Sequence, residues 1–281
     1  MQIIERVLEM QRWSESERRQ GRRIALVPTM GALHEGHLSL VRDGKVRGDR
    51  VVVSLFVNPA QFAPQEDFAS YPRDFERDRE LLNDTGTDVL FHPAVEEIYP
   101  EGFETRIEFG ELSKPLCGAV RPGHFSGVAT VVATLFNIVR PHVAIFGCKD
   151  YQQLQIIRRL VRDLNFDIEV IGHPTVREGD GLAMSSRNAY LNPEERKAAL
   201  CLYRSLRHAE EMVRRGERCG AAIVDAVRGE IAREPLARVE YATLCDSESL
   251  REVERVEEIA LLALAVRIGK ARLIDNIILK P

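Results

Sequence analysis

The chain of 281 residues is long enough for one large domain or two modest ones, each able to bury its own core. Its 44% hydrophobic and 29% charged residues are typical of a globular protein and exclude a disordered or fibrous one. The formal net charge is −4, with 43 acidic residues mixed among 39 basic ones. This balance argues against a nucleic-acid partner, because such surfaces draw their affinity from a basic excess.

Membrane insertion and secretion are not expected either. No apolar run approaches the 18 residues that indicate a membrane span, and the N-terminus does not resemble a secretory signal. The cysteines, at 117, 148, 201, 219 and 245, form no Cys-x-x-Cys pair and indicate neither a disulfide framework nor a zinc site. We therefore expect a cytoplasmic protein with reduced thiols.

Strands and helices alternate over the first 176 residues. Residues 1–6 are predicted to begin a helix. Continuous apolar strands, typical of a parallel sheet covered on both faces, are predicted at 23–27, 51–57, 143–146 and 167–171. Helices are predicted at 72–83, 128–139 and 154–164. The alternation predicts an α/β fold with a Rossmann-like, doubly wound parallel sheet over residues 1–176.

The pattern changes after residue 176. One long helix is predicted at 193–214 and a second at 218–233. Strand-like segments follow at 238–244, 259–268 and 271–278. Helices followed by adjacent strands predict a smaller C-terminal α+β domain over residues 177–281, with its boundary in the polar stretch 177–181.

The first candidate site follows directly on the first predicted strand, at residues 28–37. Ligands of open α/β sheets bind at the carboxyl ends of strands, and the N-terminus of the next helix favours phosphate. His34 and His37 flank Gly36, which lets the backbone approach a phosphate closely. This His-x-Gly-His pattern resembles the signature of the nucleotidyl-transferase superfamily. The alternatives are a metal-binding histidine pair, although no third ligand is evident nearby, and incidental surface histidines.

Two further segments carry groups suited to a nucleotide. The hydroxyls and guanidinium of Met184-Ser185-Ser186-Arg187 can grip outer phosphates, and the segment resembles the Lys-Met-Ser-Lys-Ser loop of class I tRNA synthetases. By itself it also fits a solvated turn. At a predicted strand end, Lys149 can neutralise phosphate and Asp150 can accept a ribose hydroxyl, or the two can simply cap a helix. Neither a P-loop nor a Gly-x-Gly-x-x-Gly segment is present in the sequence.

Together these motifs resemble the pantothenate synthetase family over nearly the whole chain. The matching segments are 27–37, 56–62, 71–73, 121–125, 149–153, 180–188 and 271–276. The resemblance implies a ligase that condenses pantoate with β-alanine through a pantoyl adenylate, using ATP and Mg²⁺ and releasing AMP and pyrophosphate. It also implies a homodimer formed through the N-terminal domain. One position departs from the family, since Cys148 stands where Glu is common.

The family's residue roles carry over by position. The expected catalytic residues are His37, His34, Lys149 and Arg187. Gln61 and Gln153 are expected to bind pantoate, and Gln61 also to adjoin β-alanine. The expected ATP contacts are Met30, Gly31, Ala32, Leu33, His34, Glu35, Gly36, His37, Gly147, Cys148, Lys149, Asp150, Val176, Met184, Ser185, Ser186 and Arg187. No metal ligand is assigned.

The resemblance also implies that the site excludes water, because an acyl adenylate hydrolyses readily. The loop 62–71 and the C-terminal domain are expected to close over ATP. Two other functions share these motifs. One is a nucleotidyltransferase that stops after transferring a nucleotide, without needing an amine. The other is a non-catalytic nucleotide- or tRNA-binding module of synthetase descent, which would bind ATP without turnover.

Overall fold

The computed structural model describes residues 1–66 and 68–281. Asp67, within the predicted lid 62–71, lies outside the described residues. The chain divides into two compact units. The first comprises Met1–Ser113, Arg121–Cys148 and Gln153–Pro174. The second comprises Lys114–Val120, Lys149–Gln152 and Thr175–Pro281.

The first unit contains a six-stranded parallel sheet with the order β1-β4-β3-β2-β5-β6. Its strands are β1 Gln2–Ile4, β2 Ile24–Thr29, β3 Arg50–Leu55, β4 Val89–Phe91, β5 Val143–Gly147 and β6 Glu169–His173. From β2 the chain moves outward to β3 and β4 on one side and later to β5 and β6 on the other. This reversal creates a crevice at the carboxyl ends of β2 and β5, where ligands of doubly wound sheets bind.

The helices, numbered along the chain over the described residues, connect the strands of both units. They are α1 Val7–Arg19, α2 Glu35–Arg47, α3 Phe75–Asp84, α4 Val95–Ile98, α5 Cys117–Val120, α6 His124–Val139, α7 Tyr151–Asp163, α8 Pro193–Ala198, α9 Leu200–Arg214 and α10 Gly220–Ala232.

Both faces of the large sheet are buried. Because side chains alternate along a strand, Leu26 of β2 packs with Val132 of α6 on one face, and Val27 packs with Leu38 and Val41 of α2 on the other. This two-sided burial explains why the central strands form continuous apolar runs in the sequence. The predicted α/β class with a parallel sheet is confirmed.

The prediction that residues 1–6 begin a helix was wrong. Gln2–Ile4 forms a strand that pairs with β4, and α1 begins only at Val7. The N–H of Gln2 donates to the carbonyl of Asp88 at 2.8 Å, so the segment finds its backbone partners in the sheet. Three residues are too few to show the period that distinguishes a strand from a helix.

The second unit carries a three-stranded antiparallel sheet, with β7 Ala237–Asp246, β8 Ala260–Ile268 and β9 Ala271–Leu279. Its core joins this sheet to α9 and α10, through residues such as Leu206, Ile223 and Leu264. The smaller α+β part of the prediction is thereby confirmed.

The prediction of one helix over 193–214 was wrong. The segment forms α8 and α9, separated at Ala199. The N–H of Leu202 donates to the carbonyl of Ala199 only three residues back, which tightens the turn there. Neither glycine nor proline marks this break in the sequence, so the apolar period runs through it unchanged.

Candidate active site

Residues 30–37 form the turn from β2 into α2. After Thr29 the backbone passes through two left-handed residues, Gly31 with φ 85° and Ala32 with φ 50°. Glycine adopts this conformation readily, whereas alanine does so only where its surroundings hold it. Because α2 begins at Glu35, the first N–H groups of the helix lie at this turn and favour a bound anion.

His34 and His37 lie against each other at the start of α2. Their ring centroids are 4.1 Å apart, and the N–H of His34 approaches Nδ1 of His37 at 3.4 Å. With Nδ1 as acceptor, the neutral ring of His37 carries its proton on Nε2. An N–H donor beside a helix N-terminus is suited to charge that develops on a phosphate.

The side chain of Glu35 has a different orientation from the two histidines. It is exposed and pairs with Arg42 on the same helix. Any part that Glu35 takes in ATP binding therefore falls to its backbone N–H at the helix N-terminus.

Gln61 lies in a short 3₁₀ turn, Pro59–Gln61, that follows β3. Its side chain is buried, accepts from Nδ2 of Asn58 at 3.2 Å, and places Nε2 2.7 Å from Sδ of Met30. The predicted pantoate residue and the first predicted ATP residue thus touch. Asn58 is itself held by the hydroxyl of Tyr99, which donates to Oδ1 at 2.7 Å.

The backbone of Gln61 is held from the other side by α6. The carbonyl of Gln61 lies 2.9 Å from Nδ1 of His124, and Nε2 of His124 lies 2.9 Å from the guanidinium of Arg121. Arg121 in turn forms a two-pronged ion pair with Glu66 at 2.6 and 2.8 Å. Because arginine only donates, Nε2 accepts and Nδ1 donates to the carbonyl. The sequence alone indicates no role for Asn58 or His124, because the contacts that define their roles come from segments elsewhere in the chain.

The carboxyl ends of three neighbouring strands meet at this edge of the sheet. β2 leads into residues 30–37, β3 leads to Gln61, and β5 ends at Gly147 with Gln153 in the first turn of α7. Since β2 lies between β3 and β5, the first-unit residues predicted to bind ATP and pantoate lie along one edge, at the switch point of the sheet.

Cys148, at the position where the resemblance implies a glutamate, is half-buried after β5. Burial raises the pKa of its thiol above the ordinary value of 9.0, while the nearby Arg158 acts in the opposite direction. A Cβ on Gly172 would lie 3.1 Å from Sγ of Cys148 and 3.2 Å from the guanidinium of Arg158, so the two side chains flank Gly172. The thiol packs as a neutral group against the core of the first unit.

The second unit holds the remaining predicted ATP residues. The N–H of Met184 donates to the carbonyl of Val176 at 3.0 Å, and Oγ of Ser185 accepts from the N–H of Arg187 at 3.3 Å. Lys149 and Ser185 line one small pocket, and the ε-amino group of Lys149 lies 3.8 Å from the carboxylate of Asp150. With a volume of about 10 Å³ and Asp275 in its lining, this pocket is too small for a phosphate group and shows only that Lys149 and Ser185 lie close together.

Ion pairs brace the segment 175–188. Arg177 forms a two-pronged pair with the buried Asp275, at 2.7 and 2.9 Å. Arg196 bridges Glu178 at 2.7 Å and Asp180 at 2.9 Å, and its hydrogen bond holds the pKa of Asp180 below the ordinary value. Asn276 also donates to the carbonyl of Lys149 at 2.9 Å. These contacts explain why the predicted motif 271–276 belongs with the loop, although no spacing in the sequence indicates it.

The predicted site residues thus fall into two groups, one in each unit. Met30 to His37, Gln61, Gly147, Cys148 and Gln153 belong to the first unit, and Lys149, Asp150, Val176 and Met184 to Arg187 belong to the second. Their convergence on a single triphosphate stays a prediction. Within the described part of the chain, no cluster of three or more His, Cys, Asp or Glu side chains is arranged to hold a metal ion. No helix in that same part is long and apolar enough to cross a membrane.

Comparison with known proteins places the chain among ligases. The family model for pantoate-beta-alanine ligase matches residues 2–278. The chain is 56% identical over 279 residues to the pantothenate synthetase of Geobacter sulfurreducens, covering 99% of both chains. It is equally identical, over 279 residues, to that of Thermotoga neapolitana, covering 99% of this chain and 100% of the relative.

Solved structures agree with the sequence relatives. The crystal structure of pantothenate synthetase from Thermus thermophilus matches with a TM-score of 0.95 at 48% identity, covering 100% of both chains. The pantoate-beta-alanine ligase of Francisella tularensis, complexed with beta-gamma ATP and beta-alanine, matches with a TM-score of 0.82 at 35% identity. That match covers 99% of this chain and 97% of the other.

Proposed function

This chain belongs to the pantoate–beta-alanine ligase family, and from that premise we propose how it joins pantoate to β-alanine with ATP. The pantoate carboxylate attacks the α-phosphorus of ATP, forming pantoyl adenylate and releasing pyrophosphate. The amine of β-alanine then attacks the acyl carbon and displaces AMP. A free carboxylate is a poor electrophile, because its charge repels the amine and its leaving group would be oxide, and adenylation removes both obstacles.

The observation that carries the first step is the crevice at the carboxyl ends of β2, β3 and β5. There His37 lies at a helix N-terminus, and Gln61 touches Met30. We assign the triphosphate to the helix N-terminus and pantoate to Gln61 and Gln153. The two glutamines hold the acid in line with the α-phosphorus, which converts an encounter of two molecules into reaction within one complex. Gln61 also adjoins β-alanine.

Charge stabilisation accounts for the catalytic residues in this proposal. The α-phosphoryl oxygens and the departing pyrophosphate gain negative charge in the transition state. Nε2–H of His37 donates to that charge, His34 holds the ring of His37 in place, and Lys149 and Arg187 supply fixed positive charge. Ser185 and Ser186 donate hydrogen bonds to the outer phosphates. This mechanism requires no nucleophile from the protein.

Other features of the proposal concern the setting of the reaction. Mg²⁺ enters with ATP, because proteins usually bind it through substrate phosphates and one or two carboxylates, and it offsets phosphate charge. ATP and β-alanine as substrates are supported by the relative from Francisella tularensis that binds beta-gamma ATP and beta-alanine. We further propose that the chain forms two domains, at 1–176 and 177–281, and that the loop 62–71 and the second domain close over ATP. We also propose that the protein is cytoplasmic and that it forms a homodimer through the first domain.

An assay with single omissions tests the reaction. The protein is incubated with ATP, Mg²⁺, pantoate and β-alanine, each is left out in turn, and AMP is followed. Exchange of labelled pyrophosphate into ATP should require pantoate but no amine, since the adenylate forms reversibly before β-alanine acts. AMP-free pyrophosphate release would favour a simple nucleotidyltransferase, and ATP binding without turnover would favour a non-catalytic module. Either result would overturn the proposal.

The variant His37→Ala tests whether His37 donates a hydrogen bond in the first step, adenylate formation. We expect pantoate-dependent pyrophosphate exchange to fall by on the order of a hundredfold or more, with the fold intact by circular dichroism. His208→Ala is the matched control, because His208 is an exposed histidine on α9. Exchange by His37→Ala at the wild-type rate would remove His37 from the mechanism.

A further inference from the structure

A buried carboxylate on α3 holds the turn that carries the two histidines. Asp78 is 1% exposed. Its Oδ2 accepts from the N–H of Ala32 at 2.8 Å, and its Oδ1 accepts from the N–H of Leu33, also at 2.8 Å. Both carboxylate oxygens are therefore used on consecutive backbone groups, in the manner of an anion bound by a backbone nest.

The turn needs such a partner, because of its backbone conformation. Gly31 and Ala32 are both left-handed, and the second of them carries a side chain. A Cβ on Gly31 would lie 3.0 Å from Oδ2 of Asp78, so the carboxylate packs directly against the glycine. A left-handed alanine persists where its surroundings over-determine it, and the two bonds to Asp78 do this.

Every N–H of residues 31–33 has a partner inside the first unit. The N–H of Gly31 approaches Oγ1 of Thr29 at 3.4 Å, while Thr29 donates to the carbonyl of Ser54 at 2.8 Å. Residues 31–33 thus serve the nucleotide through the shape of the turn, and in this proposal the N–H groups of Glu35 and Gly36, in the first turn of α2, face the phosphate. Leu33 is 1% exposed, so the turn is anchored in the core on one side and by Asp78 on the other.

We propose that Asp78 is a positioning residue for adenylate formation, because its bonds to Ala32 and Leu33 fix the turn that aims His34 and His37. The proposal rests on the function proposed above. Asp78 itself makes no contact with substrate in this role. A displacement of about 1 Å at a catalytic group can lower a rate by on the order of a hundredfold, so a loosened turn should affect kcat strongly.

Asp78→Asn is the test, with Glu80→Gln as the matched control. The asparagine keeps the shape of the side chain but turns an N–H₂ group toward one of the two backbone donors. Glu80 is an exposed carboxylate on the same helix, and its replacement removes the same formal charge. We expect kcat for pantoate-dependent pyrophosphate exchange to fall by about a hundredfold in Asp78→Asn and to stay within about twofold in Glu80→Gln. The KM for ATP should change far less than kcat.

A double-mutant cycle with Ala32→Gly distinguishes two roles for Asp78, holding the turn that carries the histidines and stabilising the fold in general. Glycine adopts the left-handed conformation without help, so Asp78→Asn should lower kcat less in the Ala32→Gly background than in the wild-type background. A merely structural role for Asp78 predicts additive effects. Additivity, or a kcat for Asp78→Asn within about twofold of wild type, would overturn the proposal.

Amide exchange gives a readout that does not depend on turnover or on the variant folding. In the wild-type protein the amides of Ala32 and Leu33 should be protected from exchange with solvent, and addition of ATP should leave that protection unchanged. Rapid exchange of both amides would overturn the proposal. A wild-type protein without pantoate-dependent exchange of pyrophosphate would refute the proposed function, whereas protected amides would still support the part of Asp78 in holding the turn.

Discussion

The packing of α6 against the turn that carries Gln61 predicts a specific defect in Gly127→Ala. A Cβ at residue 127 would lie 2.2 Å from the carbonyl oxygen of Ala60 and 2.7 Å from Cα of Gln61. Carbon and oxygen normally approach no closer than about 3.3 Å, so the overlap is about 1 Å. The opposing atoms belong to the backbone and cannot rotate away. Moving the turn, or moving α6 out of the core, is the only relief.

The energetic consequence follows from two opposing effects. Overpacking of this kind costs about 1–3 kcal/mol, while replacing glycine by alanine within a helix contributes about 1 kcal/mol of stability. The net loss is therefore small enough, at about 0–2 kcal/mol, for the protein to stay folded. Because Nδ2 of Asn58 also donates to the carbonyl of Gly127 at 3.1 Å, α6 is tied to the same turn and the turn should yield.

We expect kcat/KM for pantoate to fall by on the order of a hundredfold, since Gln61 shifts by about 1 Å, while the KM for ATP changes little. Pyrophosphate exchange at varied pantoate and varied ATP measures both. Gly229→Ala is the matched control, because an added Cβ at this position in α10 would meet no packed neighbour within 4 Å. That change should add up to about 1 kcal/mol of stability and leave kcat/KM intact. A folded Gly127→Ala protein with wild-type kcat/KM for pantoate would refute the reasoning.

Two further predictions concern His142 and Cys148. The N–H of Ile24 donates to Nδ1 of His142 at 3.0 Å, and burial, followed by neighbouring arginines, lowers the pKa of His142 below 6.5. The stability that the neutral ring of His142 contributes is present above pH 6.5 and is lost as the pH falls from there to the folded pKa. His142→Asn should therefore flatten the decline of the urea midpoint below pH 6.5. An unchanged decline would contradict this prediction. Cys148→Glu should change the KM for ATP by less than about fivefold, with Cys148→Ser as control, because a partly exposed charge is worth about 1 kcal/mol at most. A decrease of about tenfold or more in the KM for ATP would show that a carboxylate at this position is a substantial ATP contact.

The sequence predicts best those parts of the fold whose physics is local and periodic. The strands β2, β3 and β5 are buried on both faces and appear as apolar runs, and α6 shows an uninterrupted apolar stripe. The strands β1 and β4 are three residues long, which is too short to show the alternating apolar pattern of a strand. Their pairing depends on backbone partners from distant segments, which no local pattern reveals.

Candidate site residues could be proposed from the sequence where residue type and position in the strand–turn–helix pattern coincide, as for His34 and His37. They could not be proposed where a common residue acts through the backbone of a distant turn. In the sequence, Asp78 cannot be distinguished from the other charged residues of the polar helix α3. It is buried only because α3 packs beside the turn after β2. Asn58 is hidden in the same way, because its partners Gly127 and Tyr99 come from elsewhere in the chain.

The two groups of predicted site residues are held by different kinds of interaction, and the difference matches their proposed tasks. The turn 30–37 and Gln61 are fixed by buried polar side chains bonded to backbone, such as Asp78, which leaves little freedom. In the second unit, Arg177 is held by the buried Asp275, but the Arg196 ion pairs with Glu178 and Asp180 are partly exposed, and such exposed pairs contribute about 0–1 kcal/mol each. Charge stabilisation at the α-phosphorus requires donors that are preorganised, whereas a loop that grips the outer phosphates must also release pyrophosphate. The first group therefore suits the reacting centre, and the second group, which is held in part by exposed ion pairs, suits the leaving group.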